Sequence, residues 1–220
     1  MRRLVGHGLV MRQTLAAGTG DAVYSVASTA ATLLQSMGEY CLIACGRAEA
    51  SVARNNALHA IGLNEIHLGA LRAGVLLCWT AAMEIRSQNE LTAFGFAKDY
   101  DAIVTVRTDT GERRFALEYE RTPKAGKCYR AIAASVSQEV HVNRLLYLVA
   151  NYDLLRFVSG FFTNGDFPVF FGLLSDWHAR LLEMPVLDHA RRTFPLRQAL
   201  NGSSQKSEER PVTSYSLPFD

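Results

Sequence analysis

The sequence has few cysteines and no long apolar run. Its most apolar stretch, residues 73–83, is far shorter than the roughly 20 residues that cross a bilayer. The N-terminus also lacks the apolar region and cleavage site of a signal peptide. The four cysteines offer no second close pair for a zinc site: Cys41, Cys45, Cys78 and Cys128. We therefore expect four free thiols in a cytoplasmic protein without a membrane partner.

Neither sign of charge dominates. The 23 basic and 21 acidic residues leave a net charge of +2, which is too small to predict a nucleic-acid partner by itself. No phosphate-binding GxxxxGK[ST] loop, GxSxG elbow or metal-spaced histidine set is present, so the sequence gives no support to those enzyme classes. Apolar residues make up 49% of the chain, which excludes wholesale disorder.

The first 38 residues predict a short structural unit. Residues 2–8 indicate the end of a helix followed by a glycine, and a turn is expected at 17–21. Two strands and a helix are predicted around that turn, over 9–15, 22–26 and 30–37. This order, with GLVMR at 8–12 and DAVYSVA at 21–27, resembles the back half of a winged-helix domain. The alternative is a β-hairpin packed on any helix.

The middle of the chain predicts a sheet with flanking helices. Residues 57–75 have helical spacing, whereas 76–85 fit either a strand or more helix. A hairpin is predicted over 101–120 around Gly111. Further helices are expected over 124–138, 152–158 and 177–182, and strands over 144–150 and 168–174. The fold class is therefore α+β, with a mixed sheet flanked by helices.

Three carboxylates are candidates for metal binding. Glu118 and Glu120 lie on one face of the second hairpin strand, since side chains alternate along a strand. The hairpin register can place Asp101 beside them. Carboxylate oxygens are the ligands that Mg²⁺ prefers, and Mg²⁺ can activate water for phosphodiester hydrolysis. The alternative is a strand whose glutamates face solvent while Phe115 and its neighbours face the core.

Basic residues surround these acids. Six lie between positions 113 and 130: Arg113, Arg114, Arg121, Lys124, Lys127 and Arg130. Arg121, Lys127 and Arg130 are candidate contacts to a DNA backbone. Arg2 and Arg3, together with Arg12 of the N-terminal hairpin, are further candidates. A solvated helix face explains the central cluster equally well.

The string EYERT at 118–122, preceded by Asp101 and followed by Lys124 and Tyr129, resembles the core of PD-(D/E)xK nucleases. Behind a partial wing, it resembles the replication-relaxation family of plasmid and mobile-element proteins. The resemblance implies a restriction-endonuclease-like domain that acts on DNA, with Asp101, Glu118, Glu120 and Lys124 as catalytic residues.

The resemblance also implies a division of the chain. It places a partial winged helix at 1–38, a linker at 39–56 and the nuclease-like domain at 57–198; the polar composition of 199–220 predicts a disordered tail. The first helices of a winged-helix domain are missing, which implies a misplaced start codon or a truncated domain.

Two positions depart from the nuclease pattern. Tyr100 replaces a proline, and Glu120 stands where the motif has its lysine. Lys124, or less favourably Lys127, can supply that positive charge from the next helix. Glu65 is a candidate extra ligand or an ordinary solvent-facing helix residue.

Three functions follow from these patterns. The first is a Mg²⁺-dependent nuclease or other DNA-binding protein of plasmid replication, mobilisation or relaxation. The second is a DNA-binding regulator with a degenerate nuclease fold. The third is a subunit that contacts other plasmid replication or mobilisation proteins.

Overall fold

The computed structural model describes residues 1–14, 22–38, 50–93, 95–162 and 166–202. The N-terminal unit has the expected order of elements. These are α1 (Arg2–Gly6), β1 (Val10–Thr14), the antiparallel β2 (Ala22–Val26) and α2 (Ser28–Ser36). Gly8 follows α1 with a φ of +68°. There the N–H of Leu9 bonds Leu4 O, and that of Gly8 bonds Val5 O, which is a Schellman ending. The expected turn at 17–21 lies outside the described residues.

Helix α3 (Ala50–Arg72) starts earlier than the predicted position 57. Positions 50–56, the last part of the linker assigned to 39–56, are therefore helical. The sequence missed them because no apolar stripe marks these residues. The ambiguous segment 76–85 divides into β3 (Leu76–Ala81) and α4 (Ala82–Leu91). Residues 39–49, with Cys41 and Cys45, lie outside the described residues. Cys78 and Cys128 are free thiols.

The predicted hairpin is confirmed. It consists of β4 (Ala102–Thr108) and β5 (Gly111–Glu120), with Gly111 at a φ of +115°. The chain continues through α5 (Gly126–Val136), β6 (Leu145–Val149), α6 (Tyr152–Ser159), β7 (Val169–Leu173) and α7 (Leu174–Arg180). A 3-10 turn (Leu181–Glu183), β8 (Pro185–Leu187), β9 (Thr193–Pro195) and α8 (Leu196–Asn201) complete the described chain.

The expected tail does not begin at 199. Residues 199–201 belong to α8, and Ala199 and Leu200 are buried. The side chain of Arg144 donates hydrogen bonds to carbonyl oxygens at the end of this helix, which satisfies groups that a helix C-terminus leaves open. Residues 203–220 lie outside the described residues.

The described residues form a mixed seven-stranded sheet in the order β3-β4-β5-β6-β7-β8-β9. Strands β5, β6 and β7 are parallel to one another, and the other pairings are antiparallel. One core cluster includes Ile66 of α3 and Trp177 of α7, and the other includes Ile85 of α4 and Tyr129 of α5. The α+β class is therefore confirmed. Because helices cover both faces, β6 is buried along its whole length.

Candidate functional site

The hairpin register brings Asp101 to the two glutamates. Ala102 pairs with Leu117, so Asp101 lies next to Glu118 at the end of the hairpin. One oxygen of Asp101, Oδ2, accepts a hydrogen bond from the backbone N–H of Tyr119 at 2.8 Å. The predicted proximity of Asp101 to the acidic strand is confirmed.

Glu118 and Glu120 do not face solvent. They are only 5% and 4% exposed, so the alternative of an ordinary solvent-facing strand is wrong. Side chains alternate along β5 as predicted, so the two glutamates share one face, but both faces of β5 are covered at this end. Burial of two charged side chains is costly unless each is paired.

A lysine contacts each buried glutamate. The ammonium group of Lys98 is paired with Oε1 of Glu118. Lys124 Nζ lies 2.8 Å from Oε2 of Glu120, and the hydroxyl of Tyr147 lies 3.5 Å from the same oxygen. The structure therefore places Lys124 at the acids, as the sequence predicted, and adds Lys98.

Sequence reasoning missed Lys98. It lies 20 positions before Glu118, outside the string that carried the resemblance. Its only signal was the charged run Lys98-Asp99 just before Tyr100 and Asp101.

His59 forms the third acid–base pair. Its Nε2 lies 3.0 Å from Oδ1 of Asp101, and its ring stacks on Tyr119 with centroids 5.4 Å apart. Helix α3 can approach so closely because Gly62 has no side chain. A Cβ at that position would lie 2.8 Å from Cζ of the Tyr119 ring.

The surroundings shift the pKa values of several groups in this site, and Glu118 and His59 are two of them. Burial raises the pKa of Glu118 to about 7; Asp101 adds to the rise, and Lys98 opposes it. The hydrogen bond to Asp101 raises the pKa of His59. Perturbed groups clustered at one end of a sheet are typical of functional sites.

Glu139 anchors the loop that carries Lys98. Its Oε2 accepts hydrogen bonds from the hydroxyl of Tyr100 at 2.9 Å and from the N–H of Ala97 at 3.0 Å. Its Oε1 accepts from the N–H groups of Val140 and His141 at 2.9 and 2.7 Å. The buried carboxylate thus ties the segment before β4 to the segment before β6.

The placement of the carboxylates bears on Mg²⁺ binding. Within the described residues, no group of three or more His, Cys, Asp or Glu side chains is arranged to hold a metal ion. Asp101 and Glu118 are nevertheless close enough that the charge of Asp101 raises the pKa of Glu118. Mg²⁺ in nucleotide-processing sites is commonly held by one or two carboxylates, with waters and phosphate oxygens as its other ligands. The donor chemistry of Asp101 and Glu118 fits this pattern.

Glu65 is exposed to solvent. Its side chain is 56% exposed, and Oε2 lies 3.9 Å from Nε2 of His178. This placement matches the solvent-facing alternative.

The candidate DNA contacts lie on two parts of the chain. Lys127 and Arg130 are exposed on α5, on the same side of the helix by their spacing. Arg121 is half-buried directly after the acidic strand. Arg2 and Arg3 on α1, together with Arg12 on β1, are exposed.

Two basic residues nearer the start of β5 have local roles. Arg113 donates a hydrogen bond to the hydroxyl of Thr110 at 2.8 Å, and the Arg114 guanidinium lies 5.7 Å from the centroid of the Phe96 ring.

Comparisons of the chain with protein-family models, curated proteins and solved structures found no match. Among the helices that the structure describes, none is long and apolar enough to cross a membrane.

Proposed function

We propose that this protein binds DNA and hydrolyses a phosphodiester bond at Asp101, Glu118 and the two lysines beside them. The observation that carries the proposal is the pair of buried glutamates at the end of β5, each in contact with a lysine. Acidic and basic groups of this kind are the ones that phosphodiester hydrolysis requires.

The cost of the cluster supports a functional role. Burying ion pairs contributes little to stability compared with well-packed apolar residues. A protein that keeps several of them at one sheet end departs from the local folding rules, and such departures concentrate at functional sites.

Asp101 and Glu118 are the residues that would hold Mg²⁺. The ion would activate a water molecule and offset charge on the phosphate. Lys124 is 46% exposed, so it can turn from Glu120 towards a phosphate oxygen. Lys98 is 17% exposed, so its amino group lies inside the site.

The basic surfaces give the site its substrate class. Lys127 and Arg130 project from the helix that follows Lys124, and we propose that they contact phosphates next to the reacting one. Arg2, Arg3 and Arg12 would add electrostatic contacts from the partial winged helix. The protein would act in plasmid replication, mobilisation or relaxation, and other proteins of those processes would be its partners.

Cleavage of a supercoiled plasmid tests the proposal. The wild-type chain should nick or linearise it with Mg²⁺ or Mn²⁺ and not with a chelator. Asp101→Asn should remove the activity, because it removes a charged ligand. The exposed Glu112 serves as the matched control, and Glu112→Gln should cleave like the wild type. Absence of cleavage by the wild type with both metals contradicts the proposal.

A second function is favoured by the pairing itself. His59, Lys98 and Lys124 each pair with one of the three acids without any metal ion. A DNA-binding regulator, or a protein-interaction subunit, that kept the fold and lost the chemistry would have this arrangement. It predicts that wild type and Asp101→Asn bind DNA equally and that Mg²⁺ leaves the melting temperature unchanged.

A further inference from the structure

A cavity of about 670 Å³ lies at the opposite end of the sheet from Asp101. Arg144 and Pro168 line it and directly precede β6 and β7, whereas the acids lie at the far end of the parallel β5. A cavity of this volume is in the range that holds small organic ligands. Nothing proposed above for DNA uses it.

Arg144 is a buried cation in the wall of this cavity. It is 8% exposed, and its guanidinium donates to the carbonyl oxygens of Ala199 (2.9 Å), Leu200 and Gly202 (3.2 Å). These bonds use three of the five N–H donors of an arginine. The other two have no hydrogen-bond partner in the part of the chain that the structure describes.

The acids of the cavity do not neutralise Arg144. Asp188 is 3% exposed, but it is held by Arg192 through the backbone N–H and Nε, both at 2.8 Å, and Nη2 at 2.7 Å. Asp166 is exposed at the rim and forms no ion pair among the described residues. The imidazole of His189 also lines the cavity. A buried charge without a counter-ion is costly, so the cavity favours an anion.

An aromatic pair completes the wall. Phe170 and Phe194 meet edge to face, with ring centroids 5.9 Å apart, and both line the cavity. They offer an apolar surface next to a cationic one, which suits a ligand with a flat ring and an anionic group.

We propose that this cavity binds a small organic anion, a carboxylate or phosphate group carried on a flat ring. Arg144 supplies the free N–H donors for the anion, and Phe170 and Phe194 contact the ring. The site is independent of the DNA-directed function proposed above.

Titration of the full chain with defined probes tests this proposal. Benzoate and phenyl phosphate distinguish a carboxylate from a phosphate group on the same flat ring. Benzamide is the uncharged control for the ring, and inorganic phosphate is the control for the anion. Amide chemical shifts of Phe194 and Gln198 report occupancy and give the dissociation constants.

We expect benzoate or phenyl phosphate to bind at least about tenfold more tightly than both controls. If neither probe shifts these amides at about 10 mM, any binding is weaker than millimolar, and the proposal is overturned. Equal binding of benzamide or of inorganic phosphate also overturns it.

Gln198→Glu places a negative charge on the cavity wall without removing Arg144 from the end of α8. It should weaken binding of the probe roughly fivefold or more, because the new carboxylate repels the anionic group. Gln138→Glu is the matched control, because Gln138 is exposed and does not line this cavity; it should bind like the wild type. Unchanged affinity in Gln198→Glu contradicts the proposed place of the anion.

Discussion

The imidazole of His59 hydrogen-bonds the carboxylate of Asp101 at 3.0 Å, although 42 positions separate the two residues. The other oxygen of Asp101 accepts from the N–H of Tyr119 at 2.8 Å, and Tyr119 stacks on His59. One carboxylate therefore joins α3, the start of β4 and the end of β5. The candidate site and the packing of α3 depend on the same contacts.

The first prediction concerns the pH dependence of this link. The hydrogen bond to Asp101 raises the pKa of His59. Its stabilising effect is complete below the unfolded pKa of about 6.5 and is lost as the pH rises through the higher folded value. We expect His59→Gln to lower the free energy of unfolding more at acidic than at alkaline pH, measured by urea denaturation. An equal loss of unfolding free energy at acidic and alkaline pH contradicts this prediction. His7→Gln, at an exposed position, is the control and should not show the pH-dependent loss.

The second prediction concerns Glu118. Burial raises its pKa to about 7, so the folded state holds a proton that the unfolded state has released. Stability should therefore fall as the pH rises from the unfolded pKa to about 7. We therefore compare the free energy of unfolding of Glu118→Gln with that of the wild type in metal-free buffer. The difference should shift in favour of the variant by about 3 kcal/mol between acidic and alkaline pH. The exposed Glu112→Gln serves as the control and should show no such pH-dependent gain in the free energy of unfolding. If the difference between Glu118→Gln and the wild type is the same at every pH, the raised pKa is excluded.

The third prediction compares two glycines of α3. Gly62→Ala should destabilise the protein by about 1–3 kcal/mol, because its Cβ overlaps the ring of Tyr119, which is 4% exposed. Gly69→Ala is the matched control, since its Cβ would lie 3.4 Å from the nearest atom, on Trp177. It should stabilise by up to about 1 kcal/mol through helix propensity. Chemical denaturation measures both changes, and equal effects contradict the close approach.

The fourth prediction concerns Glu139, which accepts three backbone N–H groups and the hydroxyl of Tyr100. Glu139→Ala leaves these donors without an acceptor and should cost about 2–4 kcal/mol. Hydrogen exchange at the amide of Ala97 should also accelerate. Glu90→Ala is the control, because Glu90 is 60% exposed. Unchanged exchange at Ala97 excludes Glu139 as the anchor of the Lys98 loop.

The fifth prediction concerns DNA. If Lys127 and Arg130 each neutralise a phosphate, Lys127→Ala with Arg130→Ala should reduce the slope of log affinity against log salt by about 2. Fluorescence anisotropy at several salt concentrations measures the slope. Arg86→Ala with Arg180→Ala removes the same charge from exposed positions on α4 and α7. If both double variants give the same slope, α5 is not the DNA-binding face.

Most of the central elements were predictable because their signals are local. The run Leu145–Val149 and the hairpin turn at Gly111 identify their strands without any tertiary context. The division of 76–85 into β3 and α4 was not predictable, because an apolar run fits either structure until its neighbours are known. Strands β8 and β9 are three residues each and have no readable periodicity.

The sequence by itself determined that Glu118 and Glu120 share a face and that the hairpin can bring Asp101 beside them, since alternation and hairpin pairing act over short distances. Only the tertiary structure decided that these glutamates are buried, because helices cover both faces of β5. It also placed His59 and Lys98 at the acids, through the packing of α3 and the anchoring of a loop by Glu139. These contacts join residues far apart in the chain, and no local pattern encodes them.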